Sequence, residues 1–226
     1  MKRVAALVER LFPGLARSAA NARTLAREYG FSRSARERKP VDAAGQPLPW
    51  YTYPAIEYLR QFDFSACSVF EYGAGNSTRF WAARAGRVCA VENDPQWHSE
   101  LSARLPGVHL YHCAERDEYV NCIAREGGSF DIIVIDGRWR RRCALLAPGH
   151  LRAGGMILLD NGDRHPDAAQ VLRAAGLLQV DFSGFGPINA YTWTTSIFVR
   201  ADIRLQAGFR DPAPVGGLGQ RAGEES

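Results

Sequence analysis

The spacing of apolar residues changes along this chain, and each change marks a different part. Near the start, Val4, Leu7, Val8, Leu11, Phe12 and Leu15 recur at helical spacing, and Pro13 is expected to end or kink that helix. Residues 31–49 are polar and carry Pro and Gly, which suits a linker. A short helix over Tyr53–Gln61 then leads into the main domain. From Cys67 onward, apolar runs at Cys67–Tyr72, Arg87–Val91, Val108–His112, Phe130–Ile135 and Gly155–Leu159 alternate with helical stretches near 77–85, 95–104, 116–126 and 139–152. Short apolar strands alternating with helices predict βαβ units and a mostly parallel sheet. A helix over Pro166–Ala175 closes that series. Two further strands, Leu177–Phe182 and Trp193–Val199, are joined by Ser183–Thr192, too short a link for a helical crossover. They are expected as an antiparallel pair at one edge. Residues 206–226 hold five Gly and two Pro and are expected to be a disordered tail. The division predicted is an arm and linker over 1–49, a domain over 50–205 and a tail over 206–226.

Composition adds bounds. The chain has 226 residues, 46% of them hydrophobic and 23% charged, which fits one α/β domain with decorations. Its net charge is +4, yet residues 1–40 alone hold ten Lys or Arg against three Glu. The rest of the chain is therefore slightly acidic, and a nucleic-acid surface is not expected. The basic arm has two readings: it docks on the domain, or it touches an anionic membrane surface through residues 1–40. Cys67, Cys89, Cys113, Cys122 and Cys143 include no C-x-x-C pair. They read as thiols of a reducing compartment, and a cytoplasmic location is expected. The apolar run Val4–Val8 is too short for a signal peptide, and Phe182–Val199 is too polar for a membrane span.

The strongest local motif is Glu71-Tyr72-Gly73-Ala74-Gly75-Asn76-Ser77-Thr78, between the first strand and the next helix. Glycines there let a backbone pass close to a ligand. A dinucleotide fingerprint would have a third glycine where Thr78 stands. The competing reading is a tight turn with no ligand. Glu92 ends the second strand, where a carboxylate can accept both hydroxyls of a ribose. Asn93 or Asp94 beside it can cap the helix that starts at Pro95. Ala114 and Glu115, after the third strand, stand where an adenine edge would lie, or simply start a helix.

Glu71–Thr78 with Glu92, Phe130–Asp136 and Gly155–Asp160 resembles the class I S-adenosylmethionine-dependent methyltransferases over roughly residues 50–200. The resemblance implies a Rossmann-like α/β fold: a seven-stranded, mostly parallel sheet with an antiparallel edge pair and helices on both faces. It implies S-adenosyl-L-methionine as cofactor. Glu71, Gly73, Gly75, Asn76 and Ser77 would hold its amino-acid end, Glu92 with Asn93 the ribose, and Ala114 and Glu115 the adenine. Tyr51 and Thr52 would cover it from the other side, where their competing role is helix packing.

Asp136 ends the fourth strand, and Asp160-Asn161 ends the fifth. Two carboxylates and an amide side by side suit a hard cation such as Mg²⁺. The arrangement is similar to the metal site of catechol-type O-methyltransferases, which implies Asp136, Asp160 and Asn161 as metal ligands; Asp136 is also a candidate catalytic and cofactor-binding residue, and the competing readings are that Asp136 orients a substrate and that Asp160-Asn161 forms a turn. Those enzymes carry a catalytic lysine where Trp139 stands here. The neighbouring Arg138, Arg140, Arg141 and Arg142 cannot act as bases. His165 is the candidate base, with a solvated loop histidine as the alternative. The arginine run itself suits a phosphate, a carboxylate or an acidic sugar, or a solvated helix face.

The function expected is methyl transfer to a small molecule or sugar at oxygen, with Mg²⁺ as a candidate aid. The rivals are an NAD-dependent oxidoreductase, an aminopropyl transferase, and a non-catalytic membrane-associated module.

Overall fold

The computed structural model describes residues 10–202, 210 and 212–217. Its sheet joins β1 (Ser68–Tyr72), β2 (Arg87–Glu92), β3 (His109–His112), β4 (Phe130–Ile135), β5 (Leu151–Asp160), β6 (Leu178–Gly184) and β7 (Trp193–Val199). Their order is β3-β2-β1-β4-β5-β7-β6, with the β5–β7 and β6–β7 pairs antiparallel and the rest parallel. The mostly parallel sheet and its antiparallel edge pair are as the sequence predicts. The chain leaves β1 toward β3 and returns at β4, so the order reverses between β1 and β4. In such sheets ligands bind outside the carboxyl ends of the strands at that point.

The helices are α1 (Pro13–Arg23), α2 (Phe31–Glu37), α3 (Tyr53–Leu59), α4 (Asn76–Ala82), α5 (Pro95–Ser102), α6 (Arg116–Asn121), α7 (Arg140–Leu146) and α8 (Pro166–Ala174). Strand alternation sorts the core. Phe70, Tyr72, Cys89, Val91, Ile133, Ile135, Ile157 and Leu159 pack with α6, α7 and α8 on one face. Val69, Ile132, Val134, Met156 and Leu158 pack with Phe80, Trp81 and α3 on the other. Glu71 shares the parity of Val69, so its carboxyl falls on the α4 face.

Several boundaries differ from the expectation. The helix expected over 139–152 ends at Leu146, because Pro148 and Gly149 interrupt it with a 3-10 turn. Leu151–Gly154 therefore joins β5. Residues 31–49 are not a plain linker. They contain α2 and a strap closed by a Val41–Pro47 bridge, with the Ser34 hydroxyl donating to Val41 O (2.6 Å) and accepting from its N–H (3.0 Å). Buried Ser34, Val41 and Leu48 hold this strap, too few apolar positions to produce a periodic signal.

Pro13 starts α1 as well as ending the turn before it, a position its fixed φ suits. Leu11, Phe12 and Leu15 are 59, 59 and 66% exposed, so these apolar positions do not dock on the domain. Val4–Glu9 lie outside the described residues. Of the tail, Arg210 N–H donates to Gln61 O (2.9 Å) and Val215 N–H to Glu57 Oε1 (2.8 Å). The other residues of 206–226, apart from 212–217, lie outside the described set. No described helix is long and apolar enough to cross a membrane.

Candidate active site

The turn after β1 is built on a close approach. Gly73 has φ +91°, and a Cβ there would sit 2.6 Å from Gly137 Cα. Only glycine fits that crossing of the β1 and β4 turns. Gly75 differs: its φ of −176° suits any residue, and a Cβ there would meet nothing within 4 Å. Its bare backbone faces open space, a cradle with room for a ligand.

Below the turn lies Glu71, fully buried. Its Oε2 accepts from the Thr78 hydroxyl (2.5 Å), which itself accepts from Gly75 N–H (2.8 Å). Thr78, noted in the sequence only as a missing glycine, thus ties the turn to the acid beneath it. Glu71 Oε1 has no hydrogen-bond partner. Burial pushes the Glu71 carboxyl up to about 7, with Ser77 and Thr78 pulling it down and Glu92 pushing it further.

Glu92 points along the strand ends toward the same turn. Its Oε2 accepts from Ala74 N–H (3.1 Å), and its Oε1 from Asn93 and Asp94 N–H (2.7 and 2.9 Å). A carboxylate has about four acceptor places, so room remains for one ribose hydroxyl and not for two. Asp94 caps α5 through Trp97 N–H (2.8 Å), and Trp97 Nε1 donates to Ala74 O (2.8 Å), roofing the turn. Asn76 Nδ2 donates to Pro40 O (3.1 Å), linking α4 to the strap. Ser77 is buried at the start of α4, while Ala114 and Glu115 are exposed beyond β3, where Glu115 precedes α6.

At β4 and β5 the expected metal site is different from the sequence picture. Arg140, in the first turn of α7, reaches back between the strand ends. Its Nε donates to Gly137 O (3.1 Å), and its Nη2 to Asp136 O and Oδ1 (3.1 and 3.0 Å). Its Nη1 donates to Asn161 Oδ1 (3.1 Å) and to Asp160 O. All five guanidinium donors are engaged. A fixed cation stands among the oxygens predicted to bind Mg²⁺, so Asp136, Asp160 and Asn161 do not fit a metal. Among the described residues, the grouping of His, Cys, Asp and Glu within common metal-binding reach is Cys89, His109 and Glu126. There Arg87 and Tyr111 already hold the Glu126 carboxylate.

Asp160 is buried at the end of β5, its Oδ1 accepting from Thr195 Oγ1 (2.6 Å) and Trp193 Nε1 (3.2 Å). Burial raises its carboxyl to about 6, against the pull of Thr195, Arg140 and Trp193. Asp136 is also pushed well above the usual carboxylate range, first by burial and then by Asp160, with Arg140 opposing. Only Asp136 Oδ1 is engaged by Arg140, which leaves Oδ2 for a ligand. Asn161 takes a left-handed φ of 53°, which turns its amide back toward Arg140.

Tyr51 is buried on the α4 face, accepting from Trp81 Nε1 (3.4 Å). Burial first, then the carboxyls of Glu71, Asp136 and Asp160, hold its phenol well above the ordinary range. Of those three acids, Asp136 is paired with Arg140, and Arg140 also acts on Asp160. Thr52 does not reach this place. Its N–H donates to Thr195 Oγ1 (3.0 Å) and its hydroxyl to Phe182 O (2.8 Å), anchoring the Trp50–Tyr53 segment to β6 and β7. His165 precedes α8 and is half-buried, with its imidazole lowered by burial and by Arg140 and Arg164 against Asp167 and Asp163. It does not line the cavities beside Asp136.

Two cavities meet at Trp50 and Asp136. One, of about 230 Å³, extends over Asn76 and Ser77. The other, of about 300 Å³, lies over Asp160, Asn161 and Arg140 and is walled by Tyr191, Trp193 and Arg164. Sequence reasoning missed Arg140 as an individual residue, and missed Trp97 and Trp193. The signal for Arg140 was its place in the first helical turn, where a cation opposes the helix dipole unless it has a local reason to be there.

No family model matches the chain, and no curated protein matches it. Among solved structures it is similar to a precorrin-6y C5,15-methyltransferase from Geobacter metallireducens GS-15, at 15% identity and a TM-score of 0.50, over 66% of this chain and 87% of that one. It is also similar to a methyltransferase from Pyrococcus furiosus (18% identity, TM-score 0.48, 66% and 83% covered). A third is a methyltransferase-like protein from Silicibacter pomeroyi DSS-3 (20% identity, TM-score 0.46, 74% and 92% covered). At such identity the likeness to the Geobacter protein is one of fold: this chain has a Rossmann-like methyltransferase fold.

Proposed function

We propose that this chain is an S-adenosylmethionine-dependent methyltransferase acting on a small molecule or sugar, at oxygen. The observation that carries the proposal is the meeting of two cavities at Asp136, beside a turn whose Gly75 backbone is open. The cofactor supplies an electrophilic methyl group on a sulfonium. Its ammonium suits the unpartnered Glu71 Oε1, its amino-acid end the open turn, and one ribose hydroxyl the remaining place on Glu92. The surplus of buried carboxyls suits its positive charge. An NAD pyrophosphate is anionic, and buried Glu71 under the turn disfavours it.

The larger cavity, near the low end of ordinary ligand pockets, suits a small acceptor. Trp50, Tyr191 and Trp193 give it walls that stack a ring and exclude water. Asp136 Oδ2 stands where an acceptor hydroxyl would release its proton. Its raised affinity for protons makes it a better base than an ordinary carboxylate. Arg140 fixes its orientation, and no metal is needed.

S-adenosylhomocysteine is expected to raise the melting temperature and NAD is not. Glu92→Ala is expected to weaken S-adenosylhomocysteine by about 1–3 kcal/mol, the usual loss for hydrogen bonds to a charged group. Stabilisation by NAD alone would replace the methyltransferase reading with an oxidoreductase one. The free cysteines support a reducing compartment. Exposed Leu11, Phe12 and Leu15 beside basic residues support peripheral contact of the arm with an anionic membrane.

A further inference from the structure

Charge is unevenly placed around the turn after β1. Under the turn, carboxyls dominate. On its outer side, the 230 Å³ cavity is lined by Arg38 and Lys39 from the strap, Arg79 from α4 and Arg104 from the turn after α5, with Asn76, Ser77, Trp50 and Trp97 beside them. Arg38, Lys39 and Arg79 have no side-chain hydrogen bond or ion pair among the described residues, and Arg104 has only a 3.9 Å contact with Glu100. Asp136, the acid on this cavity, is already held by Arg140. Cations gathered around a concave surface repel one another unless an anion sits between them.

The excess is too large for the proposed cofactor. That cofactor has a net positive charge and one carboxylate, which takes one cationic partner. The remaining cations would repel it. Arg38 is held at φ 51°, a left-handed conformation. The strap is fixed there by the Asn76–Pro40 hydrogen bond and by Ser34 and Val41. The basic side chains thus come from separate elements that converge on one cavity.

We propose that this cavity binds a phosphate group carried by the acceptor. The inference rests on the methyltransferase reading for the word acceptor, but the anion site stands on its own residues. Guanidinium groups grip phosphate oxygens in pairs. A phosphorylated small molecule fits the whole: phosphate among Arg38, Arg79 and Arg104, ring against Trp50, hydroxyl at Asp136. At 230 Å³ the cavity takes a phosphorylated fragment and not a duplex.

Calorimetric titration of the full chain with inorganic pyrophosphate tests this. Binding is expected, weakening as salt rises. The Arg79→Ala/Arg104→Ala double variant is expected to lose about tenfold or more in affinity, each arginine contributing charged hydrogen bonds. Arg79 is partly exposed on α4 and Arg104 exposed in the turn after α5, and neither side chain holds another element, so the variant is expected to fold. Arg173→Ala, on the opposite face of the sheet, is the control and is expected to bind as the parent does. Pyrophosphate and S-adenosylhomocysteine are expected to bind together. Mutual exclusion would mean that the cations serve only the cofactor's carboxylate, and would overturn the proposal. Binding of S-adenosylhomocysteine with no binding of pyrophosphate overturns this inference and leaves the methyltransferase reading. The reverse result retires the methyltransferase reading and keeps the anion site. Parallel titrations with glucose 6-phosphate, a single-stranded oligonucleotide and phosphatidylserine vesicles identify the source of the phosphate. The sugar phosphate is expected to lose most from the double variant, and a greater loss for the oligonucleotide or vesicles overturns the small-acceptor assignment.

Discussion

Under the turn between β1 and α4, Glu71 is buried with one oxygen unpartnered. At the ends of β4 and β5, partly exposed Asp136 and buried Asp160 flank a guanidinium. Both regions set carboxyls at the same edge of one sheet, and burial raises the proton affinity of all three. The difference lies in who supplies the positive charge. The β4–β5 region carries its own cation on α7, while the β1 region has none of its own. A buried acid without a charged partner costs free energy. The comparison therefore sets a closed half, whose acids have a guanidinium, against an open half, whose Gly75 backbone faces free space.

The largest expected effect comes from opening the closed half. Arg140 has a side chain only 12% exposed, and its loss leaves Asp136 without a partner charge. Arg140→Met is expected to cost about 3–5 kcal/mol, as for a buried pair broken on one side. Arg140→Lys keeps the charge but has three donors for five acceptors, so an intermediate loss is expected. Chemical denaturation measures both. A loss of under about 1 kcal/mol for Arg140→Met, the level of a surface pair, would mean that the guanidinium is not the cation of this half.

A smaller effect is expected from the open half, and it depends on pH. The Glu71 carboxyl is raised from 4.5 to about 7 in the folded chain. Its contribution to stability is therefore fully present below about pH 4.5 and is lost as pH rises through 7, a swing of about 3 kcal/mol. Glu71→Gln cannot ionise. Relative to the parent, the ligand-free variant is expected to gain stability as pH climbs from 4.5 through 7. A bound ammonium reverses the sense, because it pairs with the ionised acid. The affinity of the parent for S-adenosylhomocysteine is expected to rise through pH 7, and that of the variant to stay flat. Parallel curves for the two proteins would remove Glu71 from the cofactor's ammonium.

The two halves were not equally legible in the sequence. Short apolar runs alternating with helical stretches predicted the parallel sheet, and the short Ser183–Thr192 link predicted the antiparallel pair. The placement of Glu71, Gly73, Gly75 and Glu92 around one turn was readable because each lies at or just past a strand end. The closed half was read as a metal site because Asp136, Asp160 and Asn161 do come together. The sequence signalled a local reason for a cation in that first helical turn, but it did not single out Arg140, since Arg138, Arg140, Arg141 and Arg142 looked alike. Their fates differ: Arg138 lies against the Trp139 ring, Arg141 pairs with Asp167, Arg142 is exposed and Arg140 enters the site. The packing of Thr52 was hidden from the sequence for a related reason. Its partners, Thr195 and Phe182, come from distant strands that no local pattern connects to it.

The smallest expected effect on stability is also the sharpest test of the open half. Gly73 and Gly75 look equivalent in the motif, yet only one is required by the fold. Gly73→Ala would force a left-handed φ and a 2.6 Å clash with Gly137, so marked destabilisation is expected there. Gly75→Ala meets neither obstacle, and its extended backbone accepts a side chain. Its stability is expected to change by under about 1 kcal/mol, with a slight gain from the stiffer unfolded chain. Its Cβ would nevertheless stand in the open cradle, and the affinity for S-adenosylhomocysteine is expected to fall about tenfold or more, the loss of about 1.4 kcal/mol of close backbone contact. A variant that is stable and binds normally would show that nothing approaches the turn. The unpartnered oxygen of Glu71 would then need another explanation, and the open half would be open to solvent alone.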